Sequence, residues 1–144
     1  MPAPIEVLKG VRLFADLETD ELEQIARLFK ERDFKAGEVI IKEGSGGASF
    51  YVIEAGEATV TVGGDFRATL KTGDYFGEIA LLDEGARMAT VTASTYLDCW
   101  GLTLWEFRPL VEENGVIAWK MLQTLGKELR QVEQILGDLR GPAR

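Results

Sequence analysis

The residues best suited to chemistry lie in one stretch: Phe76-Gly77-Glu78-Ile79-Ala80-Leu81-Leu82, then Asp83-Glu84-Gly85-Ala86, then Arg87-Met88-Ala89-Thr90-Val91. Gly77 permits a positive-φ bend or a close backbone approach that a Cβ forbids. Glu78 to Leu82 suit one short helical turn, whose first N–H groups have no intrahelical partner and can face an anion. Arg87 adds a fixed cationic fork, and Glu78 adds a carboxylate that accepts from hydroxyls. One arginine with orphan N–H groups suits a single phosphate, and a carboxylate suits a sugar diol. A solvated surface loop with one Glu and one Arg fits the same composition, so these residues alone leave two readings open.

Whatever holds this stretch must come from a chain of 144 residues, which predicts a single domain over 1–144 with enough length for a real core. The expected parts are a helical N-terminal region over 1–33, a β-barrel over 34–102 and C-terminal helices over 103–139. A net charge of −8, with basic residues scattered among acids, weighs against a phosphate-tracking surface, so nucleic acid is not an expected partner. The chain has no histidine, which excludes imidazole metal sites and a histidine general base. No metal or cofactor is expected, and the chain is read as a binding protein and not an enzyme. The single Cys99, between apolar neighbours, reads as small core filler. No signal peptide and no long apolar run are present, so the expectation is a cytoplasmic protein without a membrane segment.

Met1 to Lys9 reads as a loosely held arm or a short helix, followed by a brief apolar turn from Val11 to Ala15. Thr19 is the expected cap of a helix running to about Arg32, with Leu22, Ile25, Leu28 and Phe29 at helical spacing. From Phe34 the period changes. Val39-Ile40-Ile41, Phe50-Tyr51-Val52-Ile53, Ala58 to Val62, Phe66 to Lys71, Thr90 to Ala93 and Tyr96 to Leu102 read as strands. Gly44-Ser45-Gly46-Gly47, Gly63-Gly64-Asp65 and Thr72-Gly73-Asp74 separate them. Short strands with glycine-rich turns about every ten residues predict an antiparallel barrel or sandwich. The Asp83 to Ala86 insertion reads as a functional loop carried on that scaffold.

Thr103-x-x-Glu106 is a capping box opening a helix, with a kink or 3₁₀ start expected at Pro109. Asn114-Gly115 ends it and a long final helix follows. There Ala118, Leu122, Leu125, Leu129, Val132, Leu136 and Leu139 alternate steps of four and three, an a/d seam of about three heptads. Trp119, Met121 and Ile135 lie outside the seam. A helix lying on its own barrel explains the first turns of this pattern, while Leu129 to Leu139 fit a homodimer packed through the helix.

Taken together, the chain resembles the cyclic nucleotide-binding domain family from about Phe14 to the final helix. The resemblance is carried by Ala36-Gly37-Glu38-Val39-Ile40, Glu43-Gly44, Phe50-Tyr51-Val52-Ile53-x-x-Gly56 and Gly73-Asp74-x-Phe76-Gly77-Glu78-Ile79-Ala80-Leu81. It ends with Arg87-x-Ala89-Thr90-Val91, where the nine-residue step from Glu78 to Arg87 matches the family's phosphate-binding cassette. The resemblance implies an antiparallel eight-stranded jelly-roll barrel with an N-terminal helix and two C-terminal helices. It further implies a regulatory module for cAMP, less so cGMP, that responds by movement of its C-terminal helices.

By the same resemblance Arg87 pairs with the cyclic phosphate and Glu78 binds the ribose 2′-hydroxyl. Gly77, Ile79, Ala80, Met88 and Ala89 complete the ligand-binding set, with N–H groups around Ala80 and Ala89 on the phosphate. Val60, Val132 and Glu133 are the expected base or lid contacts. Met88 lacks the hydroxyl that cGMP-selective relatives often place after the arginine, which favours cAMP. Ala48 stands where kinase-type members carry an aspartate that steadies the arginine, so Arg87 is expected to be less oriented. The expected partners are a cyclic nucleotide, a second copy of the chain and an effector protein. The end of the chain leaves no room for a helix-turn-helix, so it reads as a sensor without its own output or as part of a larger regulated protein. The alternative function is a nucleotide-independent interaction module that keeps the fold.

Overall fold

In the computed structural model, which describes residues 2–140, the N-terminal segment folds as short helical pieces. α1 (Ile5–Lys9) and α2 (Thr19–Ala26) flank a 3₁₀ turn at Arg12–Phe14. The segment from Ala3 is held: the Ala3 N–H donates to the Ala26 carbonyl at 3.0 Å and Leu8 is fully buried. The cap of α2 is Glu18, one residue before the expected Thr19, and the Glu21 carboxylate accepts the Glu18 N–H at 2.8 Å.

The helix expected to reach Arg32 stops at Ala26, and Lys30–Phe34 is instead strand β1. Its residues pair antiparallel with β8 (Leu97–Thr103), from Lys30 opposite Gly101 to Phe34 opposite Leu97. The β8 ladder supplies backbone partners that a polar, weakly helical segment cannot refuse, and local propensity yields. The sheet region therefore begins at residue 30 and not at 34.

The remaining strands are β2 (Val39–Ile41), β3 (Ser49–Ala55), β4 (Ala58–Val62), β5 (Asp65–Leu70), β6 (Tyr75–Phe76) and β7 (Thr90–Ala93). They form two four-stranded sheets, ordered β1-β8-β3-β6 and β2-β7-β4-β5, antiparallel throughout. This is the eight-stranded antiparallel architecture expected, left open between the two sheets. Ile41, Ile53, Ala58, Phe76, Val91, Ala93, Leu97 and Cys99 fill the space between them. Burial pushes the Cys99 thiol up to about 12, with Asp98 and Asp33 adding to it.

A second core lies on the outer face of the first sheet. Phe50 and Leu102 meet Phe14, Leu22, Ile25, Phe107, Ile117 and Met121 there. Phe14 packs edge-on to Phe50 and tilted against Phe107, each at 6.3 Å between ring centroids. N-terminal and C-terminal helices thus share one hydrophobic layer.

Thr103 caps α3 (Leu104–Glu113): its Oγ1 accepts the Glu106 N–H at 3.3 Å and Glu106 Oε1 accepts the Thr103 N–H at 3.2 Å. No 3₁₀ start forms at Pro109, and α3 continues through it as α-helix. The carbonyl that loses its donor belongs to Trp105, an exposed position where water can replace it.

α4 (Gly115–Arg140) starts where Asn114 Oδ1 accepts the Ile117 N–H at 3.3 Å. Its docked face is Ile117, Met121 and Thr124, so Met121, outside the expected seam, is the inward residue. Side-chain bonds clip the same face to the N-terminal layer. Lys120 Nζ reaches Glu21 at 2.7 Å, while Thr124 Oγ1 and Lys127 Nζ reach Asp16 at 2.6 and 3.2 Å. From Leu129 to Arg140 every residue is exposed, and the second half of the seam faces solvent. Among the described residues no helix is long and apolar enough to cross a membrane.

Candidate functional site

Gly77 opens the site with φ 85° and ψ 13°, a left-handed conformation that its missing Cβ makes accessible. Space requires the glycine as well. A Cβ there would lie 2.7 Å from the Ser49 carbonyl and 2.9 Å from Arg87 Nη1. The same contact places the Arg87 guanidinium against the Gly77 backbone, one residue before Glu78. The expected helical turn follows as a 3₁₀ turn over Glu78–Leu81, pinned by buried Ala80 and Leu81. Leu81 belongs to the outer core with Phe107 and Ile117, which joins this turn to the C-terminal helices.

Arg87 is fixed at both its backbone and its side chain. Its N–H donates to the Ser45 carbonyl and its own carbonyl accepts the Gly44 N–H, each at 2.8 Å. Nη2 donates to the Ser49 carbonyl at 2.7 Å. The loss of orientation expected from Ala48 is therefore corrected: a backbone carbonyl one residue later holds the guanidinium. A carbonyl orients without neutralising. No carboxylate pairs with Arg87 among the described residues, and burial lowers its pKa from the ordinary value, with Tyr51 opposing. Arginine stays charged under that pull, so a half-buried positive fork is left with spare donors.

Glu78 is well buried at its side chain, which is 15% exposed, and its Oε1 accepts from Arg12 Nη2 at 3.0 Å. Arg12 Nε donates to the Tyr75 hydroxyl at 2.9 Å. Glu78 thus has one oxygen committed and another able to accept.

The other expected contacts divide. Ile79 and Met88 are exposed, Met88 at 87%, and Ala89 is half-buried just before β7. The Ala80 N–H, expected on an anion, donates instead to the Gly77 carbonyl at 3.0 Å, because a 3₁₀ turn closes on the residue three back. Val60 packs against the core between the sheets. Val132 and Glu133 lie on the exposed second half of α4 and are not buried against the barrel. Sequence reasoning missed Arg12, Tyr75, Gly47 and the Ser49 carbonyl. Only Gly47 carried a signal, since paired glycines before a strand mark a close backbone approach.

Two concavities lie elsewhere: one of about 760 Å³ between Phe14 and Leu22, another of about 480 Å³ between Leu81 and α3. Neither includes Glu78 or Arg87 in its lining, and the candidate site rests on the chemistry of its residues.

Residues 31–114 match the model of a family described as the cyclic nucleotide-binding domain. The cAMP-dependent protein kinase regulatory subunit of Yarrowia lipolytica is 46% identical over 92 residues, covering 62% of this chain and 24% of that protein. The chain therefore spans about a quarter of the length of that relative. The cAMP-bound PfPKA-R structure is 27% identical with a TM-score of 0.69, covering 94% of this chain and 45% of that one. The N-terminal domain of a transcriptional regulator from Streptomyces coelicolor A3(2) shares the fold at a TM-score of 0.82, 24% identity, 89% of this chain and 95% of that one.

Proposed function

Because the chain belongs to the cyclic nucleotide-binding domain family, we propose that it is a regulatory module for a cyclic nucleotide, with cAMP as the ligand. One observation carries the reading: Arg87 is a half-buried guanidinium, oriented by the Ser49 carbonyl and without a carboxylate partner among the described residues. Such a group lowers its energy by meeting an anion that brings its own charge. Arg87 binds the cyclic phosphate from beside Gly77, and Glu78 accepts from the ribose 2′-hydroxyl. Ile79, Met88 and Ala89 flank the ligand, and Val60 supports the wall behind it. Exposed Met88 gives apolar contact but no hydroxyl, which supports cAMP over cGMP. The activity is binding without turnover.

The readout is α4. Leu81 links the cassette turn to the layer holding Phe107 and Ile117, so a ligand that shifts this turn changes the packing of the C-terminal helices. The exposed Leu129, Leu136 and Leu139 are covered by the same seam of a second copy. Val132 and Glu133 meet the base when α4 moves, and an effector protein reads that movement.

Isothermal titration of the chain with cAMP and with cGMP tests the reading. Heat with cAMP at lower concentration than with cGMP supports it. The absence of heat and of any thermal shift at millimolar concentrations of either ligand would leave the interaction-module alternative.

A further inference from the structure

Arg12 is the side chain in which three parts of the molecule meet. Its neighbours Val11 and Leu13 are buried, so the backbone of the 3₁₀ turn is fixed while the Arg12 side chain lies along the surface. The Tyr75 hydroxyl accepts from the Arg12 N–H at 3.3 Å and from Nε at 2.9 Å. Nη2 bonds Glu78 Oε1 at 3.0 Å, and Nε lies 3.7 Å from Glu128 Oε1 on α4. Glu128 is the last clip on that helix, after Lys120, Thr124 and Lys127, and from Leu129 onward α4 is exposed.

We propose that Arg12 is a positioning residue that divides its charge between Glu78 and Glu128 and so carries occupancy of Glu78 to α4. The inference rests on the proposed nucleotide reading for the role of Glu78, and adds the route by which binding is felt. The shorter of the two bonds is to Glu78. A hydroxyl donor on the uncommitted oxygen of Glu78 draws carboxylate charge away from Oε1, which weakens the pull on Arg12, and the guanidinium shifts toward its second carboxylate. The Arg12–Glu128 pair tightens and the docked half of α4 is held more firmly. Linkage makes the effect reciprocal, so weakening the Glu128 contact must weaken the hydroxyl-bearing ligand. Exposed ion pairs are weak, which limits the coupling to a two- to fivefold change in affinity.

The test titrates cAMP and 2′-deoxy-cAMP into the full chain and into Glu128→Gln, Arg12→Gln and the double variant. Thermal unfolding confirms that each is folded. Glu128→Gln should weaken cAMP two- to fivefold and leave 2′-deoxy-cAMP unchanged. In the Arg12→Gln background the same change should have no effect on either ligand. Arg12→Lys, which keeps the charge, should restore part of the dependence on Glu128. A generic loosening of α4 would weaken both ligands equally, and that result overturns the inference. So does a Glu128→Gln effect that persists without Arg12, or no effect at all. If the unsubstituted chain binds no cAMP, the nucleotide reading fails and takes this inference with it. Binding without the pattern removes the inference alone.

Discussion

Gly47 lies directly against Arg87: a Cβ at residue 47 would stand 2.5 Å from Nε and 2.7 Å from Nη2. The glycine is thus part of the mould that holds the cationic fork. The atoms it would strike are the far end of a flexible side chain, so the fold can absorb the clash while the guanidinium cannot stay in place.

Gly47→Ala should therefore separate stability from binding. We expect a melting temperature within a few degrees of the parent, because the atoms displaced are the far end of a flexible side chain and not backbone or core. Affinity for cAMP should drop about tenfold, roughly 1.4 kcal/mol. Calorimetric titration beside a thermal melt measures both. Equal losses in each would assign Gly47 to folding alone.

Arg87→Ala removes the charge partner proposed for the phosphate and should weaken cAMP by about 10- to 150-fold, the range for hydrogen bonds to charged groups. Arg87→Lys should recover only part of this. A point ammonium cannot donate to the Ser49 carbonyl and to a phosphate in the same fixed fork. If lysine binds as well as arginine, orientation by Ser49 is irrelevant.

Docking of α4 should depend on acid. The Thr124 hydroxyl, then Lys127, hold Asp16 below the usual carboxylate range, and the Glu18 N–H, then Lys120, do the same for Glu21. A lowered acid stabilises above its unfolded value and loses that contribution as pH falls through its folded value. The loss therefore sets in below about pH 4, near the unfolded values of Asp and Glu. Thermal midpoints from pH 6 to pH 3 should fall less steeply in an Asp16→Asn, Glu21→Gln variant than in the parent. Parallel curves would place the acid sensitivity elsewhere.

The exposed seam should make the chain a dimer. Sedimentation equilibrium is expected to give twice the 15.9 kDa chain mass, and Leu129→Glu with Leu136→Glu should return it to one. Both positions are solvent-facing in the single chain, so the substitutions should leave its melting profile nearly unchanged. A monomeric parent at 100 µM would end the proposal.

The candidate site was legible as a cluster because its chemistry is local: Gly77, Glu78 and Arg87 stand out by residue type and spacing, and the fold sets Arg87 against Gly77. Strands β2 to β5 were legible for a similar reason, as β-branched runs between glycine turns. β1 was not, since Lys30-Glu31-Arg32-Asp33 carries no strand pattern and becomes a strand only through β8. The partners of the site were equally hidden. Ser49 contributes a carbonyl, which any residue has, and Arg12 reaches Glu78 across 66 positions of sequence. The inward face of α4 was misread because heptad spacing reports an apolar surface without saying which body covers it.

The helix that buries three of its first ten residues and exposes its last twelve is, mechanically, a lever with an asymmetric fulcrum. Past Glu128 it overhangs by twelve residues, about 18 Å at the rise of an α-helix. A tilt of about 10° at the last clip would sweep its tip through roughly 3 Å over that arm. Displacements too small to see at Arg12 would then be large enough, at Arg140, to change which surface a neighbouring molecule meets.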